Sequence, residues 1–255
     1  MTGENEERAE TADRAWFEDA FGELYSLIYA HRTVEAAAPE AAFAAHVLNL
    51  TSADSVLDLC CGGGRHLFHL GRIAGMTVGL DYSRALLSQG RALLGQSARL
   101  VRADMRAIPF ANGFDCVTNF FTSFGYFADD ADNAAVAAGI RVALRPGGRF
   151  FVDHANAKRV RATLEVESVR THGEYEIREF RWIDEARRRV EKRMKVMRGD
   201  SLERTFHESV RLYEPAELQA LFSRHGLYVT EIYGDWTGED FGEHSPRMLL
   251  RGVAQ

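Results

Sequence analysis

The sequence predicts an α/β protein with a doubly wound, mostly parallel sheet and an antiparallel insertion near its C-terminal end. Short apolar runs alternate with segments that carry apolar residues at helical spacing, beginning at Val56. A glycine turn at residues 61–65 joins the first apolar run to the first of these helical segments. Three runs of alternating polar and apolar residues follow between residues 174 and 213. Strands that alternate with helices imply right-handed crossovers, so helices should cover both faces of the sheet.

Two helices precede the first strand. Residues 16–28 carry apolar side chains at helical spacing, and a second helix is expected from Pro39, a favourable first helical residue, to Leu50. The first five strands are predicted at residues 56–59, 77–80, 98–102, 114–120 and 149–153, the last introduced by an Arg-Pro-Gly-Gly turn, with helices at 67–73, 84–94 and 132–144.

The C-terminal third changes from parallel to antiparallel patterning. The three alternating runs, at residues 174–182, 188–197 and 204–213, predict a meander, in which Trp182 and Phe206 form a small core of their own. A helix at 214–222 ending near Gly226, and strands at 227–233 and 247–253, complete a seven-stranded sheet. The expected division is a helical cover at 1–50, a main domain at 51–170 and 214–255, and an inserted β lid at 171–213.

Composition limits the classes of function. The 255 residues carry a net charge of -6, which disfavours binding to nucleic acid. The basic residues of the meander are interleaved with acids and predict a solvated face; they are Arg187, Arg188, Arg189, Lys192, Arg193, Lys195 and Arg198. The three cysteines form neither a disulfide framework nor a metal pattern, and no apolar run has the length of a membrane span. We therefore expect a cytoplasmic protein without a metal and without a membrane partner.

The glycine turn predicts a nucleotide-type ligand. Glycine lets a ligand approach the backbone, and the following helix start offers free N–H groups. The dinucleotide fingerprint requires a third glycine where this chain has Leu67, which argues against NAD. Asp81 ends the second strand and is placed to accept hydrogen bonds from two ribose hydroxyls; the alternative is that it caps the next helix.

Five motifs in order over residues 54–155 resemble those of class I S-adenosylmethionine-dependent methyltransferases. They read DLCCGGG (58–64), GLDYS (79–83), RADMRAIPF (102–110), FDCVTNFFTSFGY (114–126) and LRPGG (144–148). Cys60 stands where the family often has glycine, which narrows the turn. The Gly-Arg-His at 64–66 and the Thr-Ser-Phe-Gly-Tyr at 122–126 resemble a bacterial subgroup that acts on small molecules.

The resemblance implies S-adenosylmethionine as the cofactor and assigns residues to its parts. Gly62 and Gly64 would pass close to the methionine part, Asp81 would hold the ribose, and Asp104 the adenine amino group. Met105 would pack on the adenine ring, while Asn119 and Phe120 would line the sulfonium. The other expected cofactor contacts are Tyr25, Arg32, Asp58, Cys60, Arg65, His66, Tyr82 and Ser83. For Arg65, a solvated position at the helix start is an equal alternative.

The end of the N-terminal helix is expected to cover this site, as it does in the subgroup. Arg32 would bind the methionine carboxylate through its guanidinium. Tyr29 is a candidate catalytic residue; alternatively, Tyr25 and Tyr29 form an aromatic pair that faces the core.

Candidates for the acceptor side follow the later strands. His154 directly follows the fifth strand, where it would accept a proton from the nucleophile, although a lone histidine is more often structural. Tyr126, His207 and Trp236 are expected to form the acceptor pocket, with aromatic faces that favour a cationic group.

The predicted reaction is methyl transfer to a nitrogen or oxygen of a small metabolite, in a closed and dry site. One alternative keeps the cofactor but cleaves or cyclises its aminocarboxypropyl arm, which gives methylthioadenosine. Another is a non-catalytic binder or an NAD-linked oxidoreductase. The lid's strands are also expected to pair two subunits into a homodimer.

Overall fold

The structure is a computed structural model that describes residues 28–29 and 31–255. Its α-helices are α1 (Val34–Val47), α2 (Arg65–Leu70), α3 (Arg84–Leu94), α4 (Asp130–Ala143), α5 (Ala157–Thr163) and α6 (Pro215–Ser223), with a 3₁₀ helix at Met105–Ala107. Its strands are β1 (Ser55–Leu59), β2 (Met76–Asp81), β3 (Arg99–Arg102), β4 (Phe114–Asn119), β5 (Leu144–Ala155), β6 (Glu167–His172), β7 (Tyr175–Asp184), β8 (Arg189–Arg198), β9 (Ser201–Arg211), β10 (Leu227–Tyr233) and β11 (Arg247–Ala254).

The large sheet confirms the predicted doubly wound architecture. Its seven strands run in the order β10-β11-β5-β4-β1-β2-β3. The five strands β1 to β5 are parallel to their neighbours among themselves, whereas β11 is antiparallel to both β5 and β10. The order of the strands reverses between β1 and β4, and ligands bind at the carboxyl ends of parallel strands at such a point.

Alternate residues of the central strands bury opposite faces of the large sheet. Leu57 and Phe150 belong to one apolar cluster, while Val56 and Phe151 belong to another. All four side chains are fully buried. Because both faces are covered, the central strands read in the sequence as continuous apolar runs.

Two local predictions are wrong. Pro39 lies inside α1, because the Thr33 hydroxyl accepts a hydrogen bond from the Ala36 N–H and starts the helix earlier. The Arg-Pro-Gly-Gly segment is the exposed beginning of β5 and not a turn before it. The pairing of β5 with β4 shifts register between Phe114 and Cys116, which accommodates this segment.

The small sheet consists of the four antiparallel strands β6-β7-β8-β9. The sequence predicts three of these strands and misses β6, because that strand is mostly exposed and has no apolar alternation. Val169 in β6 is 61% exposed. The sheet therefore begins before residue 171, where the lid was expected to start.

One face of the small sheet packs on the residues that precede α1. Ile28 and Tyr29 form an apolar cluster with Ile177, Met194 and Phe206. Phe206 is thus a core residue, as expected, but part of that core comes from the N-terminal side of the chain. Within the described residues, no helix is long and apolar enough to cross a membrane.

Candidate active site

A cavity of about 400 Å³ lies at the carboxyl ends of β1, β2 and β4. Its volume falls in the range typical of small-molecule sites. Its walls come from the turn after β1, the end of β2, the 3₁₀ helix, the loop after β4 and the residues before α1. Of the side chains expected to bind a cofactor, the cavity is lined by Arg32, Cys60, Gly62, Arg65, His66, Asp81, Tyr82, Asp104, Met105 and Phe120.

The backbone conformation of the turn after β1 favours glycine. Gly62 and Gly64 have φ values of 54° and 80°, in the left-handed region that side chains disfavour. A Cβ atom on Gly64 would lie 2.8 Å from Cδ1 of Leu94, the end of a flexible side chain, so the φ values are the stronger reason. Cys60 also has a positive φ, 62°, and lines the cavity in a conformation that glycine adopts more easily.

Asp81 organises this turn from the end of β2. Its Oδ2 accepts a hydrogen bond from the Gly62 N–H at 2.8 Å, and its Oδ1 accepts one from the Ser83 N–H at 2.8 Å. Burial raises the pKa of the Asp81 carboxyl. The cap of α3 is Ser83, whose hydroxyl accepts from the Leu86 N–H, so Asp81 does not itself cap the helix. Asp81 instead lines the cavity, where a pair of ribose hydroxyls would meet its carboxylate.

Asp104 and Met105 form the opposite part of the wall. The Asp104 carboxylate caps the 3₁₀ helix, accepting from the Arg106 N–H at 2.8 Å, and pairs with the Arg106 guanidinium at 2.7 Å. Burial tends to raise the pKa of Asp104, but the bonds from Arg106 outweigh it and hold that pKa below its ordinary value. Met105 is buried and lies against Cys60, with 3.3 Å between the two sulfur atoms. Both residues line the cavity and offer an apolar surface on which a flat ring can pack.

Asp58 and Asn119 lie beneath the cavity and do not line it. Asp58 accepts a hydrogen bond from the Thr118 hydroxyl at 2.9 Å, and Asn119 donates its amide to the Leu59 carbonyl at 2.9 Å. Burial raises the pKa of Asp58 to about 7. Among the described atoms, Asp58 Oδ2 and Asn119 Oδ1 are buried without a hydrogen-bond partner. Ser83 likewise does not line the cavity.

Glu40 is a site residue that the sequence analysis missed. Its Oε2 lies 3.1 Å from Arg65 Nη1 and 2.6 Å from His66 Nε2. Burial tends to raise the pKa of Glu40, but the bonds and charges of His66 and Arg65 outweigh it and lower that pKa. Burial lowers the pKa of His66 to about 4, so its ring is neutral near pH 7 and donates its Nε2–H to the carboxylate. Arg65 therefore lines the cavity, with its guanidinium bound to Glu40, and is not a solvated residue.

Aromatic residues after β4 form a second wall. Phe120 stacks on His66, with 3.9 Å between ring centroids. Phe121, which the sequence analysis did not single out, has a φ of 63° and lines the cavity. Its N–H donates to the buried Asp153 carboxylate at 2.7 Å, and the Arg32 guanidinium lies 3.5 Å from its ring centroid. In the sequence, the signal that could have identified Phe121 was the Phe-Phe doublet that follows a strand.

The expected acceptor residues do not all converge. Tyr29 and Tyr126 line the cavity, whereas His154, His207 and Trp236 do not. His154 is fully buried, with Nδ1 2.9 Å from the Ala155 carbonyl oxygen.

Two other expected acceptor residues make contacts elsewhere. His207 pairs with Glu191 at 3.0 Å and stacks on Trp182. Trp182 does not belong to the apolar cluster of the small sheet. Trp236 packs against Phe43, Phe120 and Phe151. Tyr25 lies outside the described residues.

The solvated face predicted for the basic residues of the small sheet is wrong for two of them. Arg189 is 4% exposed and donates five hydrogen bonds, three of them to carbonyls of Gly125, Tyr126 and Phe127. Lys192 pairs with Glu208 at 2.6 Å, with 15% of its side chain exposed. Both residues face parts of the chain far away in sequence, which composition does not reveal.

The residues present fit an S-adenosylmethionine molecule. The wall supplies a buried carboxylate beside a glycine turn, apolar side chains at Met105 and Leu86, and two guanidinium groups at Arg32 and Arg65. These groups match a ribose, an adenine ring and a carboxylate, respectively. Within the described residues, no three His, Cys, Asp or Glu side chains are grouped to hold a metal ion. Sheet order and cavity together define a Rossmann-like enzyme of the class that binds nucleoside cofactors.

Comparison with known proteins finds methyltransferases. Residues 56–148 match the family model described as a methyltransferase domain. The chain is 33% identical over 138 residues to dTDP-3-amino-3,4,6-trideoxy-alpha-D-glucopyranose N,N-dimethyltransferase of Streptomyces venezuelae, covering 54% of this chain and 58% of that protein. It is 29% identical over 200 residues to Cypemycin N-terminal methyltransferase of a Streptomyces species, covering 77% of this chain and 81% of that protein. The crystal structure of Streptomyces venezuelae DesVI superposes with a TM-score of 0.69 at 27% identity, covering 91% of this chain and 98% of that one.

These matches support a class I S-adenosylmethionine-dependent methyltransferase that uses S-adenosylmethionine as its cofactor. The predicted resemblance is thereby confirmed. The matching relatives are named as methyltransferases, which does not support the alternative of cleaving or cyclising the aminocarboxypropyl arm.

Glu40→Gln is expected to weaken binding of S-adenosylhomocysteine about 5- to 10-fold, measured by calorimetry, because a neutral amide holds Arg65 and His66 less firmly than a carboxylate. The matched control is Glu35→Gln, since Glu35 is exposed on the same helix. Equal affinities for the two variants would contradict a positioning role for Glu40.

His154→Asn is expected to make the protein less sensitive to acid. Burial lowers the pKa of His154 from 6.5 to about 4, so the unfolded chain takes up the proton first as the pH falls. The stabilisation that the neutral His154 ring contributes is complete above 6.5, its pKa in the unfolded chain. It is lost as the pH falls toward about 4, its pKa in the folded protein. Urea unfolding should show that the wild type loses on the order of 2 kcal/mol more than the variant between about pH 7 and pH 4.5. Because His154 does not line the cavity, kcat should change only a few-fold; a 100-fold loss would restore the proton-acceptor role that the sequence predicts.

Proposed function

We propose that this protein transfers the methyl group of S-adenosylmethionine to an amine nitrogen of a small molecule. The observation that carries the proposal is that one cavity has two kinds of wall. Asp81 and the glycine turn form the part suited to the cofactor, and Phe121, Tyr126 and Tyr29 form an adjoining aromatic part. Nitrogen as the acceptor atom is supported by a relative named as an N,N-dimethyltransferase of a dTDP-linked amino sugar and by one named as Cypemycin N-terminal methyltransferase.

The bound cofactor supplies an electrophilic methyl group on a sulfonium. The chain's own residues orient the reactants and exclude water. Phe121 is held in its left-handed conformation by the Asp153 carboxylate, and Arg247 donates to that carboxylate at 2.6 Å. Aromatic faces favour cationic groups, so this wall suits a sulfonium and an aminium product. Holding the nucleophile at attack distance supplies most of the rate in such a reaction.

We propose a division of labour between the parts of the fold. The large sheet holds the cofactor through Gly62, Asp81, Asp104 and Met105, whereas Gly64 does not line the cavity and shapes the turn instead. The N-terminal segment around Tyr29 and Arg32, together with the small sheet on which it packs, covers the cavity and shapes the acceptor side. Pairing of two subunits through the small sheet remains a prediction.

A panel of paired acceptors tests the proposal. The protein is incubated with S-adenosylmethionine and a dTDP-linked aminosugar or a short peptide with a free N-terminus, each beside its N-acetylated counterpart. Mass spectrometry is expected to show one or two added methyl groups on an amine, equivalent S-adenosylhomocysteine, and no product from the acetylated compound.

Three outcomes would contradict it. Methylation of the acetylated compounds would move the acceptor atom from nitrogen to oxygen. Methylthioadenosine in place of S-adenosylhomocysteine would mean a different bond is broken. Binding of S-adenosylhomocysteine with no transfer to any amine would remove amines as the acceptor class.

A further inference from the structure

An amine acceptor meets this enzyme as an ammonium ion in neutral water, and its nitrogen has no lone pair until one proton leaves. We infer that Tyr29 and Glu208 remove this proton as a relay, with Lys192 holding both in place. The inference rests on the proposed function and names the acceptor-side chemistry of the same site.

The geometry joins the cavity to a carboxylate outside it. Tyr29 lines the cavity, whereas Glu208 and Lys192 do not. The Tyr29 hydroxyl donates a hydrogen bond to Glu208 Oε1 and accepts one from the Lys192 ammonium. Lys192 and Glu208 are directly opposite each other on β8 and β9 and form an ion pair at 2.6 Å. The phenol is therefore the link between the acceptor space and the carboxylate.

The surroundings of this link are apolar and largely closed. Tyr29 is 7% exposed, and Met194 Sδ lies 3.9 Å from its hydroxyl. Ile177 and Phe206 belong to the same cluster and are almost fully buried. Low water access strengthens hydrogen bonds between charged groups and keeps the proton on the relay.

The charged groups that face Tyr29 leave Glu208 as its carboxylate partner. On β7, Arg181 and Glu179 bind each other, and Arg170 of β6 binds the same carboxylate at 2.8 Å. Glu179 is therefore engaged by two guanidinium groups. The Arg32 guanidinium lies 3.7 Å from the Tyr29 ring centroid, and the His31 ring lies 6.1 Å away. Burial and the nearby Arg32 lower the pKa of His31, which keeps that ring neutral near pH 7.

The proton balance closes without another reactant. The N–H bond of the ammonium breaks and its proton bonds to the Tyr29 oxygen, while the Tyr29 proton moves to Glu208, which becomes a carboxylic acid. The freed lone pair of the nitrogen forms the N–C bond as the C–S bond breaks. The two electrons of the C–S bond stay on sulfur. Glu208 returns its proton to water when the products leave.

The test is the pH dependence of methyl transfer to the amine that the acceptor panel identifies. Glu208→Gln and Tyr29→Phe are each expected to lower kcat at pH 7 about 100-fold, within the range of general acid–base catalysis. Both variants should regain much of the activity as the pH rises toward the amine's own pKa, because free amine then needs no relay. The double variant should lose little more than either single one.

The matched control is Glu203→Gln, an exposed glutamate on the same strand, which should behave as the wild type. Affinity for S-adenosylhomocysteine should be unchanged in all variants. Two results with an active wild type would overturn the relay alone. One is a Glu208→Gln variant whose kcat at pH 7 is within threefold of the wild type, and the other is a Glu208→Gln variant whose kcat is reduced by the same factor at every pH. A wild type that methylates no amine overturns the proposed function together with the relay. If Glu208→Gln fails to fold, Tyr29→Phe decides by the same criteria, because it keeps the ring under Arg32.

Discussion

Asp81→Asn is expected to weaken binding of S-adenosylhomocysteine about 100-fold. Both oxygens of the wild-type carboxylate accept backbone hydrogen bonds, from Gly62 and from Ser83, and the residue lines the cavity. An asparagine turns one of these acceptors into a donor, which meets a backbone N–H or a ribose hydroxyl unfavourably. Loss of bonds to a buried charge costs about 1.5–3 kcal/mol each, and 1.4 kcal/mol is tenfold in affinity.

Calorimetry with S-adenosylhomocysteine measures this change, and Asp200→Asn is the matched control. Asp200 is exposed between β8 and β9 and does not line the cavity, so its variant should bind as tightly as the wild type. Thermal unfolding beside the wild type checks that the Asp81→Asn protein is folded. An Asp81→Asn protein that binds within threefold of the wild type would exclude Asp81 as a ribose ligand.

Arg189→Met is expected to cost about 3 kcal/mol of unfolding free energy and to lower Tm by roughly 6–12 °C. The buried guanidinium donates to the carbonyls of Phe127 and Tyr126 at 2.9 Å each and of Gly125 at 3.2 Å. It also donates to the Ser209 hydroxyl at 2.6 Å, and that hydroxyl donates to Glu191 at 2.8 Å. Methionine has a similar length but no donor, so these carbonyls would remain buried and unpaired.

The control for Arg189→Met is Arg187→Met, because 73% of the Arg187 side chain is exposed. Urea unfolding compares the two. Since Tyr126 and Phe127 line the cavity, Arg189→Lys, which keeps the charge, should raise the KM for the acceptor more than that for S-adenosylmethionine. Equal urea midpoints for Arg189→Met and Arg187→Met would mean that Arg189 does not fasten the small sheet to the loop after β4.

Local spacing was enough to predict the parallel sheet and most of the cofactor side of the cavity. Gly62 and Asp81 belong to adjacent parallel strands, whose carboxyl ends meet at one edge whatever the rest of the chain does. Asp58 and Asn119 also lie in the parallel strands, but they bond to the Thr118 hydroxyl and the Leu59 carbonyl and do not line the cavity. His154 does not line it either, since it is fully buried and its ring faces Tyr213.

The sequence by itself determined the order of strands and helices, the glycine turn and the position of Asp81, because these depend on patterns within a single element or between neighbouring ones. Only the tertiary structure decided that Glu40 holds Arg65 and His66, that Arg189 is buried, and that Tyr29 meets Lys192 and Glu208. Each of these contacts joins elements that are distant in the chain. Their pairing depends on how helices and sheets pack against each other, and hydropathy and spacing carry no record of that.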